Sequence, residues 1–126
     1  MALGGILFTE DGTLVFEGNA LKEGVTTNVS FTSRVQGVGN FPSGDNKGQG
    51  TMTLNPDGTV DSSCEGELTT AQGQVFKWKS REKSKKNDGG VKGVERVTGF
   101  SQYPQIVMDT EMFPNKKFTN TAVEWK

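Results

Sequence analysis

Residues 47–83 read KGQGTMTLNPDGTVDSSCEGELTTAQGQVFKWKSREK. This stretch reads as three antiparallel strands joined by two tight turns. Thr70-Ala71-Gln72-Gly73-Gln74 fits a three-residue hairpin loop, a type I turn followed by a glycine at positive φ. With Thr70 facing Gln74, Glu67 faces Lys77, Glu65 faces Lys79 and Asp61 faces Lys83. Opposite charges directly across a ladder contribute roughly 0.2–1 kcal/mol each. On the other side Leu68 meets Phe76 and Gly66 meets Trp78, where the missing side chain leaves room for the indole. A slip of one residue would turn the carboxylates into the core.

The same template fits Asn55-Pro56-Asp57-Gly58-Thr59, with proline and glycine at the turn positions they favour. Leu54 then faces Val60, Met52 faces Ser62, and Gly50 faces Cys64. Residues 60–68 alternate apolar or small with acidic or polar, which marks a half-buried strand.

The rest of the chain extends this plan in both directions. Glu10-Asp11-Gly12 reads as another such loop, closing a first hairpin of residues 3–9 and 13–18. That hairpin has Phe8 opposite Leu14 and Ile6 opposite Phe16 on one face, and Leu7 opposite Val15 on the other. With two apolar faces it is either sandwiched within its own domain or lies in a subunit interface. Asn19–Glu23 is a connection and Gly24–Val35 a long strand. Gly37–Asn46 is a loop with Phe41 at its middle, either an ordinary surface connection or a lid over a cavity.

Asn87-Asp88-Gly89 offers two registers for strand 91–101. A three-residue loop puts Arg81 opposite Glu95 outside, with Phe76 opposite Phe100 and Ser80 opposite Arg96 inside. A two-residue Asp88-Gly89 turn turns Glu95 inward and brings Arg81 beside Arg96. The charge pattern favours the first. Residues 105–113 and 117–125 form a last hairpin around Pro114-Asn115-Lys116. It has no glycine, so the register of 117–125 stays open. Met108, Met112, Phe118 and Ala122 share one face there, and Val107, Val123 and Trp125 the other.

The chain of 126 residues thus reads as one domain, 1–126, of about eight strands with no amphipathic helix. Consecutive hairpins point to an all-β, antiparallel up-and-down barrel, with a β-sandwich as the alternative. Closure removes exposed strand edges. Seventeen glycines, without a strict period, fit bulges and barrel corners and exclude collagen.

Composition narrows the function. A net charge of −1 gives no global attraction to nucleic acid or to an anionic membrane. A single cysteine excludes an internal disulfide. No apolar run reaches the ~20 residues of a membrane helix, and Met1–Gly5 lacks the pattern of a signal peptide. The expected location is cytoplasmic, so Asn28-Val29-Ser30 reads as a chance glycosylation match. With no histidine, zinc sites of the usual type and histidine-based triads are excluded. No catalytic residue, metal site or cofactor motif is assigned. Lys77, Lys79, Arg81, Lys83, Lys85 and Lys86 make a cationic stripe interleaved with Phe76 and Trp78. Its rings face the opposite side and acids on the neighbouring strand neutralise it, so no nucleic-acid partner is expected.

The candidate ligand site is the inner face around Met52, Cys64, Trp78, Ser80, Arg96 and Phe100. An inward Arg96 needs a partner, because an unpaired buried charge is very costly. A ligand carboxylate held bidentately is one partner. An internal Asp or Glu is another, and the second register leaves Arg96 exposed. Cys64 reads first as a small core hydrophobe.

The run Gly48-Gln49-Gly50-Thr51-Met52-Thr53, then Asp57-Gly58, Glu67 and Gly73 up to Trp78, resembles small prokaryotic barrel proteins of calycin and allene-oxide-cyclase type. The final Glu124-Trp125-Lys126 fits the same likeness, which spans about residues 35–126. The resemblance implies a barrel with a lipophilic cavity and frequent oligomerisation. No residue of the cyclase site is matched. Three readings follow: a barrel binding a small lipophilic, acidic ligand; an isomerase- or cyclase-type enzyme on the same barrel; and a homo-oligomeric interaction protein with a filled barrel.

Overall fold

The computed structural model describes residues 3–18 and 21–125. Of the expected connection 19–23, Asn19 and Ala20 lie outside the described residues, as do Met1, Ala2 and the terminal Lys126. Eight strands follow one another: β1 (Leu3–Phe16), β2 (Thr26–Gly37), β3 (Gly44–Leu54), β4 (Thr59–Thr70), β5 (Val75–Asn87), β6 (Gly90–Thr98), β7 (Ile106–Met112) and β8 (Lys117–Trp125). Each pairs antiparallel with the next, and β1 pairs with β8, so the sheet closes as an up-and-down barrel. None of the described residues forms a helix long and apolar enough to cross a membrane.

The central meander has the expected register. Glu67 opposes Lys77, Glu65 Lys79, Asp61 Lys83 and Gly66 Trp78, while Leu54 opposes Val60 and Gly50 opposes Cys64. Gly58 and Gly73 sit at φ 86° and 82°, the left-handed region that glycine tolerates best. The Gly48–Gly66 pair makes the space for two rings: a Cβ on Gly66 would lie 2.5 Å from Trp78, and one on Gly48 2.5 Å from Phe31. The last hairpin repeats the three-residue loop without glycine. Lys116 takes φ 67°, and its N–H donates to the Phe113 carbonyl at 2.9 Å. Met108 opposes Ala122 and Met112 opposes Phe118, on the shared inner face expected for them.

Two expectations are corrected. The first hairpin does not exist: residues 3–16 are one strand, and Glu10-Asp11-Gly12 runs straight through it. Gly12 is there for space rather than for a turn, since a Cβ would lie 2.5 Å from the Phe118 ring and from the Thr32 carbonyl. Nor does a hairpin with two apolar faces remain. Ile6 and Val15 are exposed but lie nine residues apart along β1, roughly 30 Å at strand rise.

The second correction is the β5–β6 register. Asn87 opposes Gly90 across a two-residue Asp88-Gly89 turn. Arg81 faces Arg96 outside, and Glu82 faces Glu95 inside. The Asn87 side chain accepts the Gly89 N–H at 2.9 Å, and Gly90 takes φ 126° where a Cβ would strike the Met112 carbonyl. The register that pairs Arg81 with Glu95 would turn Lys92 and Arg96 inward together, because they share parity. Two buried cations cost several kcal/mol each. The exposed like-charge contact costs less than about 1 kcal/mol.

Two apolar clusters fill the barrel. One joins Phe8, Val35, Leu68, Trp78, Val97, Ile106 and Met108; the other joins Leu14, Phe16, Val29, Met52, Leu54, Val60 and Phe118. Phe31 and Cys64 touch both. In the β2–β3 loop Phe41 is buried, with ring centroids 4.7 Å from Phe8, 5.1 Å from Phe100 and 5.4 Å from Tyr103, while Val38, Gly39, Asn40 and Ser43 are exposed.

Replacing Arg96 by Glu puts opposite charges across β5–β6. It is expected to stabilise the protein by roughly 0.2–1 kcal/mol in urea unfolding. A large loss of stability would mean that residue 96 faces the core.

Candidate functional site

Alternation decides what the barrel encloses. Even-numbered residues of β1 from Phe8 onward and of β3, β4, β5, β7 and β8 point inward, as do odd-numbered residues of β2 and β6; before Phe8 a bulge in β1 turns Leu7 in and Ile6 out. This brings three carboxyl groups inside: Glu10 from β1, Glu82 from β5 and Glu95 from β6. Every described lysine and arginine is exposed except the half-buried Lys116, which lies in a loop. Among the described residues the interior therefore holds acids and no opposing cation.

Glu10 is satisfied by hydrogen bonds. Its oxygens accept from Asn120 Nδ2 at 2.7 Å, from Asn46 Nδ2 at 3.0 Å and from the Ser33 hydroxyl. Asn46 in turn accepts the Trp78 indole N–H at 2.7 Å. This network ties β1, β2, β3, β5 and β8 together through side chains.

Glu82 and Glu95 are a different matter. They oppose each other directly across the β5–β6 ladder. Burial pushes the Glu95 carboxyl up to about 8; the Glu82 charge adds to this, Ser80's hydrogen bond works against it, and Glu10 adds again. Burial also raises Glu82, against a hydrogen bond donated by the Ser84 hydroxyl at 2.7 Å. Two carboxyl groups this close share protons rather than ionise together. Burial, then Glu95 and Glu82, push the Cys64 thiol up to about 12, so it is not a nucleophile at neutral pH.

These groups line an interior cavity of about 70 Å³. Its walls combine Phe31, Met52, Leu14, Phe118 and Trp78 with Glu10, Glu82, Glu95, Ser62 and Asn120. Two of the polar atoms have no hydrogen-bond partner, Asn120 Oδ1 and Ser62 Oγ. No three Cys, Asp or Glu side chains of the described residues converge as metal ligands.

Five of the six residues singled out from the sequence face the interior. Trp78, Met52, Cys64 and Phe100 line the cavity, and Ser80 hydrogen-bonds Glu95. Phe100 stacks on Phe76 with centroids 5.5 Å apart, although the register does not pair them. Gly99, at φ 122°, kinks the chain after β6 and swings Phe100 inward. Arg96 is the exception and points to solvent. Sequence reasoning did not single out Glu10, Glu82, Asn46 and Asn120. Glu82 shares parity with Trp78 and Ser80, so its inward direction was there to be read.

No family model and no curated protein matches the chain. Among solved structures, a protein of unknown function from Clostridium acetobutylicum ATCC 824 is similar over the whole of both chains, with a TM-score of 0.74 at 14% identity. That likeness is one of fold: a small closed β-barrel.

Glu95 keeps its proton in the fold up to about pH 8, whereas the free side chain releases it near 4.5. Between those values the folded chain binds the extra proton, so stability falls as pH rises. At about 1.4 kcal/mol per pH unit, the fall amounts to several kcal/mol. Glu95→Gln is expected to flatten this slope, matching the wild type near pH 4 and exceeding its Tm at pH 9. Parallel curves for the two proteins would disprove the assignment.

Proposed function

We propose that this protein is a small-molecule-binding barrel whose site is the acid-lined interior cavity. The supporting observation is the Glu82–Glu95 pair, two carboxyl groups opposed on adjacent strands beside a void and facing no cation. A barrel interior needed only for packing is filled at lower cost by apolar side chains. Raised carboxyl groups at a cavity are instead a common mark of a working site.

The polarity of the anchor reverses the expectation from the sequence. With Arg96 outside, an acidic ligand has no inward partner, and Glu82 and Glu95 would repel it. The size of the void points the same way. Typical sites for drug-sized ligands occupy about 300–1,000 Å³. A space of about 70 Å³ fits a molecule of a few heavy atoms rather than a long lipophilic chain.

Saturation-transfer NMR with a set of two- to five-atom probes tests the reading. Polar hydrogen-bond donors should show transfer, and small carboxylates such as acetate should not. Ser62→Leu, which fills the cavity, should abolish the signal while the far-UV spectrum stays that of a β-protein. Transfer that is absent throughout, or unchanged in Ser62→Leu, would overturn the reading.

A further inference from the structure

We infer that the interior cavity takes a primary ammonium cation, bound through its N–H donors beside the Glu82–Glu95 pair. This rests on the interior-site reading above and gives it a ligand class.

The first argument is the balance of donors and acceptors around the void. Asn120 Oδ1 is buried without a donor, on a residue only 6% exposed. Ser62 Oγ is also buried without a partner. The carboxyl groups of Glu82 and Glu95 line the same space, and each has one hydroxyl donor, Ser84 and Ser80 respectively. The Asn46 amide N–H₂ donates to Glu10 and Ser33, and the Asn120 amide N–H₂ donates to Glu10. Against these acceptors the void's own donors are the Ser62 hydroxyl and the proton shared by the pair, so acceptors outnumber donors. A buried acceptor without a donor costs about 1–3 kcal/mol, so what completes this site must donate. An ammonium carries three donors and accepts nothing.

The second argument is charge. The titratable groups facing the void are Glu10 from β1, Cys64 from β4, Glu82 from β5 and Glu95 from β6. β2, β3, β7 and β8 contribute only neutral groups there, among them Phe31, Asn46, Thr110 and Asn120. A cation can take the place of the pair's proton between the carboxylates; a neutral donor cannot. The balance is simple. The pair enters with a shared proton, the cation binds, and the proton leaves to solvent.

The third argument separates an organic cation from a metal ion. No cluster of three Asp, Glu or Cys side chains closes to coordination distance among the described residues. Leu14, Val29, Met52, Met112 and Phe118 are among the apolar residues of the wall. Apolar walls suit a short carbon stem and give a bare ion nothing.

The test uses methylammonium as the probe on the intact protein. Binding is followed through the Asn120 amide and Trp78 indole signals in ¹H–¹⁵N spectra, and by calorimetry at pH 7 in buffers of different ionisation enthalpy. Methylammonium is expected to shift both signals and to release close to one proton per cation, as linkage requires. Glu95→Gln should weaken it roughly tenfold or more and remove the proton release. Formamide, methanol, potassium and tetramethylammonium should bind far more weakly. If formamide or methanol binds as well as methylammonium and Glu95→Gln changes nothing, the cation assignment falls while the interior site stands. Equal competition by potassium or tetramethylammonium overturns the role of the N–H donors. If no probe shifts either signal, the ammonium inference and the interior site fall together.

Discussion

A closed ladder gives each side chain only two directions, and the register between two strands fixes which. Everything inside this barrel depends on that constraint. The β5–β6 turn contains two residues, and for that reason alone Glu95 is inside and Arg96 outside. One residue more would exchange them, and Lys92 would follow Arg96 inward because they share parity. The choice is settled by burial. A cation carried into a space without an anion costs more than a cross-strand ion pair returns at the surface. The local charge pattern that favours Arg81 beside Glu95 is real but an order of magnitude too weak.

The parts of the fold that were legible in the sequence are those where a turn carries its own chemistry. Asn55-Pro56-Asp57-Gly58 and Thr70-Ala71-Gln72-Gly73 set the registers of β3, β4 and β5, and all partners follow mechanically. The misreading at Glu10-Asp11-Gly12 comes from the same residue types doing another job. Gly12 lies beneath the ring of Phe118, more than a hundred residues away, and no local window contains that information. Asp11 and Thr13 are exposed on the outer face, which is why the segment also resembles a polar turn. Joining the two half-strands into β1 is what lets one element pair with both β2 and β8 and close the barrel.

The candidate site was less legible than the fold, for a physical reason. Its apolar wall follows from alternation alone, so Met52, Cys64 and Trp78 could be placed on the inner face before any coordinates. Its polar content depends on two facts that alternation does not supply, the continuity of β1 and the length of the β5–β6 turn. Glu10 and Glu95 are each decided by one of them. Errors in those two places also act together. They remove two acids from the interior and insert two cations, which reverses the charge of the ligand that the site would select.

The interior separates its acids by function. Glu10 is saturated by Ser33, Asn46 and Asn120, and through Asn46 it fixes the Trp78 indole. Such a network rigidifies a core when every member is satisfied. The Glu82–Glu95 pair is left incomplete on the opposite strands, with only the Ser84 and Ser80 hydroxyls beside its own shared proton. Nothing in packing requires the second arrangement, since the inward positions flanking the pair, Ser62, Ser80 and Met108, lie at an interior that apolar residues fill elsewhere. An acid network that is closed on one wall and open on the facing one orients the void. The satisfied side acts as the fixed frame, and the unsatisfied side is where an incoming donor gains the most.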